Sequence, residues 1–132
     1  MKHVKIQIYG VDFGKLKDVL VAERFLIAAI KAAGMRALDQ PWVYDIREEL
    51  EAQGEKLDPT EPEGVTGIVV LSTSHAAIHT WPHRGYAVFD LFSCTDFETE
   101  KVERVVQERY SPKRITVKDL SYSLELPPLP ET

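Results

Sequence analysis

The sequence predicts an α+β fold, a two-layer sandwich whose mostly antiparallel sheet is covered on one face by two main helices. Three observations carry this expectation. The chain has 132 residues, 44% hydrophobic and 28% charged, the size and composition of a single domain with one core. Segments with an apolar period of two outnumber those with helical spacing, and three of them follow one another in the middle of the chain. Two long segments have helical spacing, enough for one covering layer. A sheet covered on one face leaves the other to solvent or a partner, which points to a dimer.

The elements follow in order. Val4, Ile6 and Ile8 alternate with Lys5 and Gln7, a strand over about residues 3–9. Gly10 and Gly14 bracket a loop containing Asp12. Leu16, Val19, Leu20, Ala22, Leu26, Ala29, Ile30 and Ala33 recur at three- and four-residue steps, and Gly34 supplies the stop, so a helix is expected over about 15–33. Met35 to Leu38 has strand character and is interrupted by Gln40-Pro41-Trp42. Residues 45–56 have the pattern of a short, charged helix. Asp58 to Gly64 is an acidic, proline-broken loop, read as a solvated surface. Residues 65–72 form the most strand-like run. Ala77–Thr80 and Tyr86–Phe92 are two more strands, the latter with Val88, Asp90 and Phe92 on one face and Phe89 and Leu91 on the other. Phe97–Tyr110 has helical spacing through Val102, Val105 and Val106, with Asp96 or Thr95 as its cap. Arg114–Leu126 is expected as the last strand, ended by Pro127-Pro128.

Charge and cysteine usage exclude several classes. The net charge is -5, and no basic cluster of the kind that neutralises phosphates is present, against a nucleic-acid partner. The apolar runs are far shorter than the ~20 residues that span a bilayer. Met1-Lys2-His3-Val4-Lys5 is followed by no apolar signal-peptide core. Cys94 is the only cysteine, as expected of a chain in the reducing cytoplasm.

Polar chemistry concentrates in Ser72-Thr73-Ser74-His75, His79-Thr80-Trp81-Pro82-His83 and Ser93-Cys94. A metal held by His75, His79, His83 and Cys94 is disfavoured. The segment reads as extended, and four residues of strand span about 13 Å, too far for two ligands near ~2 Å from one zinc. A Ser–His or Cys–His nucleophile is the other candidate. By spacing alone, Ser74 and His79 read better as a polar turn and a buried histidine.

A longer pattern adds to this. Gly64-Val65-Thr66-Gly67-Ile68-Val69-Val70-Leu71-Ser72-Thr73-Ser74-His75, then Ile78-His79-Thr80-Trp81-Pro82, Gly85-Tyr86-Ala87 and Ser93-Cys94, resembles the S-adenosylmethionine decarboxylase proenzymes of the short, prokaryotic class. The close match spans about residues 64–94.

The resemblance implies a cofactor made from the chain itself. The Ser74 hydroxyl would attack the Thr73 carbonyl, and elimination would leave a pyruvoyl group at residue 74. Residues 1–73 would become the β chain and 74–132 the α chain. By the family's pattern His79 assists the elimination and the hydroxyl of Thr66 assists the acyl shift. The pyruvoyl group forms a Schiff base with the substrate amine and acts as the electron sink for decarboxylation. Cys94 matches the proton donor, and Trp81 and His83 fall where substrate is bound. The implied product serves spermidine and polyamine biosynthesis, and the implied assembly is a homodimer of αβ protomers.

Three departures bear on the substrate. Thr73 replaces a glutamate before the cleavage serine. His83 replaces a glutamate that grips the ribose hydroxyls; a neutral imidazole accepts one such bond where a carboxylate accepts two or more. Thr60 aligns with a phenylalanine that stacks on adenine. S-adenosylmethionine leads as substrate, with ornithine or arginine as the alternative. A cationic side chain would be met by Asp39, Asp45, Glu61 or Glu63, and Trp42 or Tyr44 would replace the stacking ring. A reading from another class is an unprocessed, non-catalytic binding or regulatory homologue.

Overall fold

A computed structural model describes residues 1–58, 63–123 and 126–131. Its strands are β1 (Lys2–Tyr9), β2 (Trp42–Asp45), β3 (Val65–Leu71), β4 (Ser74–Trp81), β5 (Tyr86–Ser93) and β6 (Arg114–Asp119). Its helices are α1 (Phe13–Lys17), α2 (Val19–Ala32), α3 (Ile46–Ala52) and α4 (Thr99–Tyr110). The six strands form one sheet in the order β2-β3-β4-β5-β1-β6, with every neighbouring pair antiparallel. The expected α+β sandwich is the fold.

The alternation of each strand decides which side is the core. Val4, Ile6 and Ile8 of β1, Val65, Val69 and Leu71 of β3, Ala76 and Ile78 of β4, and Phe89 and Leu91 of β5 are buried. They lie beneath α2 and α4, whose Phe25, Leu26, Val102, Val106 and Tyr110 are also buried. Phe25 joins the layers. Its ring meets Phe89 edge-on at 4.9 Å and Tyr110 at 5.2 Å, geometry that aromatic quadrupoles favour. Gly67 of β3 is where α2 comes closest: a Cβ there would lie 3.0 Å from Leu26 Cδ1 and 3.1 Å from Val43 Cγ2.

The other face carries no helix among the described residues. It presents Trp42 and Tyr44, Ile68 and Val70, His75, His79 and Trp81, and the Val88–Asp90–Phe92 side of β5. Trp42 is 52% and Tyr44 45% exposed.

Several expected boundaries are corrected. The helix expected over 15–33 is two helices, because Asp18 is extended (φ -84, ψ 112) and its carboxylate accepts from the Leu20 and Val21 amides that open α2. Met35–Leu38 is no strand; Ala37 makes one isolated bridge to Leu71. The edge strand is instead Trp42–Asp45, directly after Pro41, where a proline is tolerated. Helix 45–56 shortens to Ile46–Ala52, with Asp45 as its cap. Ala77–Thr80 is the middle of a longer strand that starts at Ser74. The last helix begins at Thr99, and Glu98, rather than Asp96 or Thr95, occupies the cap position with no side-chain bond; the Asp96 carboxylate instead takes Lys2 at 3.2 Å. The last strand stops at Asp119, short of the expected Leu126.

Candidate active site

β3 and β4 pair as far as Leu71 and Ser74, so Ser72 and Thr73 are the whole of the hairpin turn. Thr73 has φ 52, left-handed backbone that a β-branched residue adopts only under strain. Ser74 follows as the first residue of β4. In the neighbouring hairpin His75 pairs with Phe92, which places Cys94, just past the end of β5, beside the turn.

The contacts there are dense. The Thr73 hydroxyl lies 2.8 Å from the Ser72 carbonyl and 2.8 Å from Cys94 Sγ. Cys94 N–H donates to Ser74 Oγ at 3.1 Å, and that oxygen is 3.8 Å from Sγ. Hydrogen bonds from the Thr73 and then the Ser74 hydroxyl hold the Cys94 thiol below its usual pKa, because a thiolate accepts them better than a thiol. A cavity of about 210 Å³ opens here, bounded by Met35, Arg36, Ser72, Ser74 and Cys94.

Thr66 and His79 are cross-strand partners at the other end of the same hairpin. Thr66 Oγ1 and His79 Nδ1 are 3.2 Å apart. Burial lowers the His79 pKa from 6.5; the charge of Asp90 opposes this and Lys5 adds to it. Five residues of strand separate His79 from Ser74, about 17 Å. The structure thus brings Ser74, Thr73 and Cys94 together and Thr66 and His79 together, but holds the two groups apart within one chain.

The remaining sequence candidates have separate surroundings. His83 Nε2 is 3.9 Å from Glu63 Oε2, and its ring is 5.0 Å from Phe13. Glu63 is also held by Lys17 at 3.5 Å and Arg47 at 3.4 Å. Trp81 packs on Tyr86 at 5.4 Å. Asp39 accepts from the Gln40 amide and Asp45 from the Glu48 amide, both in local turns. Thr60 and Glu61 lie outside the described residues. His75 stacks on Phe92 at 5.5 Å with Nε2 3.6 Å from Asp90. The three imidazoles of the motif therefore have three different partners.

The sequence reading missed the role of Asp90. It gathers His3 at 2.8 Å, His75 at 3.6 Å and Lys5 at 3.8 Å on the open face. The alternation of β5 already put Asp90 on the face opposite Phe89, but its neighbours depend on the β5-β1 pairing.

Comparisons with known proteins bear on this site. The sequence model of the family described as S-adenosylmethionine decarboxylase matches residues 2–122. The chain belongs to the S-adenosylmethionine decarboxylase family. It is 34% identical over 99% of its length to the S-adenosylmethionine decarboxylase proenzyme of Pelotomaculum thermopropionicum, covering 90% of that protein. It is 32% identical over 90% of its length to the proenzyme of Methanococcus maripaludis strain C7, covering 86% of that protein. The crystal structure of the adenosylmethionine decarboxylase from Aquifex aeolicus superposes with a TM-score of 0.72 at 25% identity, covering 98% of this chain and 96% of that one. Among the described residues of this chain the six strands form one sheet, with the Ser72-Thr73 turn closing its β3-β4 hairpin.

Proposed function

We propose that this protein is a cytoplasmic, self-processing decarboxylase that acts on S-adenosylmethionine for spermidine and polyamine biosynthesis, with a pyruvoyl group made from Ser74 as its cofactor. The observation that carries this is the serine turn. Ser74 follows a residue with positive φ, and its oxygen is held by the Cys94 amide at 3.1 Å. Strain in Thr73 is relieved when the bond after it breaks, and a nucleophile fixed by an amide is positioned rather than free.

The residues fit the group they would carry. Residue 74 opens onto the cavity beside Arg36 and Cys94, so a group there is reachable by a substrate amine and lies beside a thiol. A pyruvoyl carbonyl supplies the electron sink for loss of CO₂. Cys94 supplies the proton that the substrate Cα needs afterwards. His79, kept neutral by burial, takes a proton during processing, with the Thr66 hydroxyl orienting its ring.

His79 and Thr66 act on Ser74 from a second copy. Within one chain they lie too far apart, and the uncovered sheet face carries His79 together with the exposed Trp42, Tyr44, Ile68 and Val70. Two such faces packed together cover these side chains and let the His79 end of one copy meet the serine turn of the other, giving a homodimer of αβ protomers.

Position 83 favours ornithine or arginine as a second reading. His83 is 3.9 Å from Glu63, a carboxylate already paired with Lys17 and Arg47, and no carboxylate stands at position 83 itself to grip a ribose. One experiment separates these. Purified protein should give fragments 1–73 and 74–132, the second blocked at its N-terminus, and Ser74→Ala should stay whole. Release of ¹⁴CO₂ from carboxyl-labelled S-adenosylmethionine, ornithine and arginine then ranks the substrates. Cleavage with turnover of only the amino acids would replace S-adenosylmethionine, and an intact mass after long incubation would sink the processing reading.

A further inference from the structure

The Thr73 side chain has no part in the chemistry derived so far, yet its hydroxyl makes the shortest contact to Cys94, 2.8 Å from Sγ, with its one hydrogen shared between Sγ and the Ser72 carbonyl at the same distance. Thr73 also ends the β chain if the bond after it breaks. We propose that Thr73 is the positioning residue that sets the protonation of Cys94: its hydroxyl donates to Sγ in the uncut chain, and the carboxylate it gains on cleavage keeps the thiol protonated in the mature enzyme. This rests on the processing reading.

In the acyl shift Ser74 Oγ bonds to the Thr73 carbonyl carbon as the peptide C–N bond breaks. In the elimination the Cα proton leaves residue 74, the Cβ–Oγ bond breaks, and both electrons go with the oxygen. Water then replaces nitrogen at Cα and ammonia leaves, so no oxidant is needed. Ser74 Oγ, 3.8 Å from Cys94 Sγ in the uncut chain, has become an oxygen of the Thr73 carboxylate. One hydroxyl donor to sulfur is lost and one negative charge appears beside it. Both changes favour the thiol over the thiolate.

The β-chain end is held in place to do this. Leu71, two residues before it, is buried at the end of β3, where it pairs with Ser74 on one side and bridges Ala37 on the other. Within its own chain the other charged groups around Cys94 do not change on cleavage: the Met1 amine, Lys2, Asp96 and Asp119 on one side and Arg36 on the other; the second copy's His79, which the proposed dimer brings to the same turn, is present before and after cleavage alike. A thiol is what the reaction requires, because a proton donor that has already ionised has nothing to give.

Cys94 is the only cysteine, so alkylation by iodoacetamide, followed by mass against pH, reads this sulfur alone. The midpoint of the rate profile reports its protonation, and the high-pH limit separately reports access. Ser74→Ala, which stays uncut and already lacks the Ser74 hydroxyl, should have the lowest midpoint of the variants compared, so that its difference from processed wild type reads the carboxylate alone. Thr73→Val in that background should raise it, and Thr73→Ser, which restores the hydroxyl, should bring it back. Processed wild type should lie highest, with the thiolate fraction at neutral pH lower than in Ser74→Ala by about threefold or more. Equal midpoints for Ser74→Ala with and without Thr73→Val would overturn the contact. A processed enzyme whose midpoint is no higher than that of Ser74→Ala would overturn the role of the carboxylate. A wild-type chain that stays intact fails the processing reading and this inference together, whereas two fragments with an unraised midpoint fail this inference alone.

Discussion

If His79 is the base of the proposed processing it has to be neutral to take a proton, and burial and Lys5 on one side and Asp90 on the other decide the pH at which it is. Burial lowers its pKa from 6.5, while the negative charge of Asp90 raises it by less. A base with a lowered pKa stays competent down to a more acidic pH. The rate of self-cleavage should therefore be flat from pH 8 to 7 and fall only below the ordinary imidazole value of about 6.5. Removing the opposing charge with Asp90→Asn should move the fall to still lower pH. Time courses of the intact band at a series of pH values check both statements, and a shift to higher pH in Asp90→Asn would contradict the assignment. The closeness of Cys94 to Ser74 was legible because antiparallel pairing turns sequence offsets into positions: the register that sets His75 opposite Phe92 delivers Cys94 to the serine turn; the separation of His79 from that turn was not, because it follows from β4 being extended from Ser74 onward. The Thr73 contact was not legible, because it depends on a left-handed φ that a β-branched residue does not ordinarily take.

At the scale of elements, the central hairpin depends on a close approach that the strand pattern concealed. Gly67 reads as one more residue of an apolar run. In the fold it is the point where β3 meets α2 on one side and its neighbours β2 and β4 on the others. An added Cβ would lie 3.0 Å from Leu26, 3.1 Å from Val43 and 3.3 Å from Ile78. A larger side chain there forces several packed groups to move at once. Gly67→Val should cost about 1–3 kcal/mol, measured by urea unfolding in the Ser74→Ala background so that the chain stays whole and two-state. An unchanged midpoint would mean that α2 gives way without cost. The helix boundaries were misread for a related reason. Helical spacing runs unbroken from Leu16 to Ala33, but Asp18 satisfies two amides of α2 with its side chain, and this local bond outweighs the continuity of the apolar stripe. The edge strand Trp42–Asp45 was missed because Pro41 looks like an interruption, though on an edge it only removes an amide that had no strand to bond.

At the scale of the whole molecule, the separation of Thr66 and His79 from Ser74 sets the strictest condition on how the protein works. The open face that carries His79 also carries Ile68, 36% exposed, and Val70, 40% exposed. Apolar side chains of this size gathered on one sheet face favour an apolar partner, and a two-fold dimer lets each copy offer the same patch. If that dimer brings the His79 of one copy to the serine turn of the other, cleavage becomes a transaction between chains. A Ser74→Ala chain has nothing to cut but still carries His79. A His79→Ala chain has the bond but lacks the base. Each expressed alone should remain whole or cut slowly. Expressed together with different tags, they form mixed dimers in which the His79→Ala chain meets an intact imidazole. With equal expression and random pairing, about half of the His79→Ala chains should then be cut at the wild-type rate, and none of the Ser74→Ala chains. Ile68→Asp, which sets a charge in the middle of the face, should abolish both the dimer on a sizing column and the rescue. If mixed dimers form and the His79→Ala chain still fails to cut, His79 acts within its own chain, and the hairpin must then bend enough to close a gap of about 17 Å.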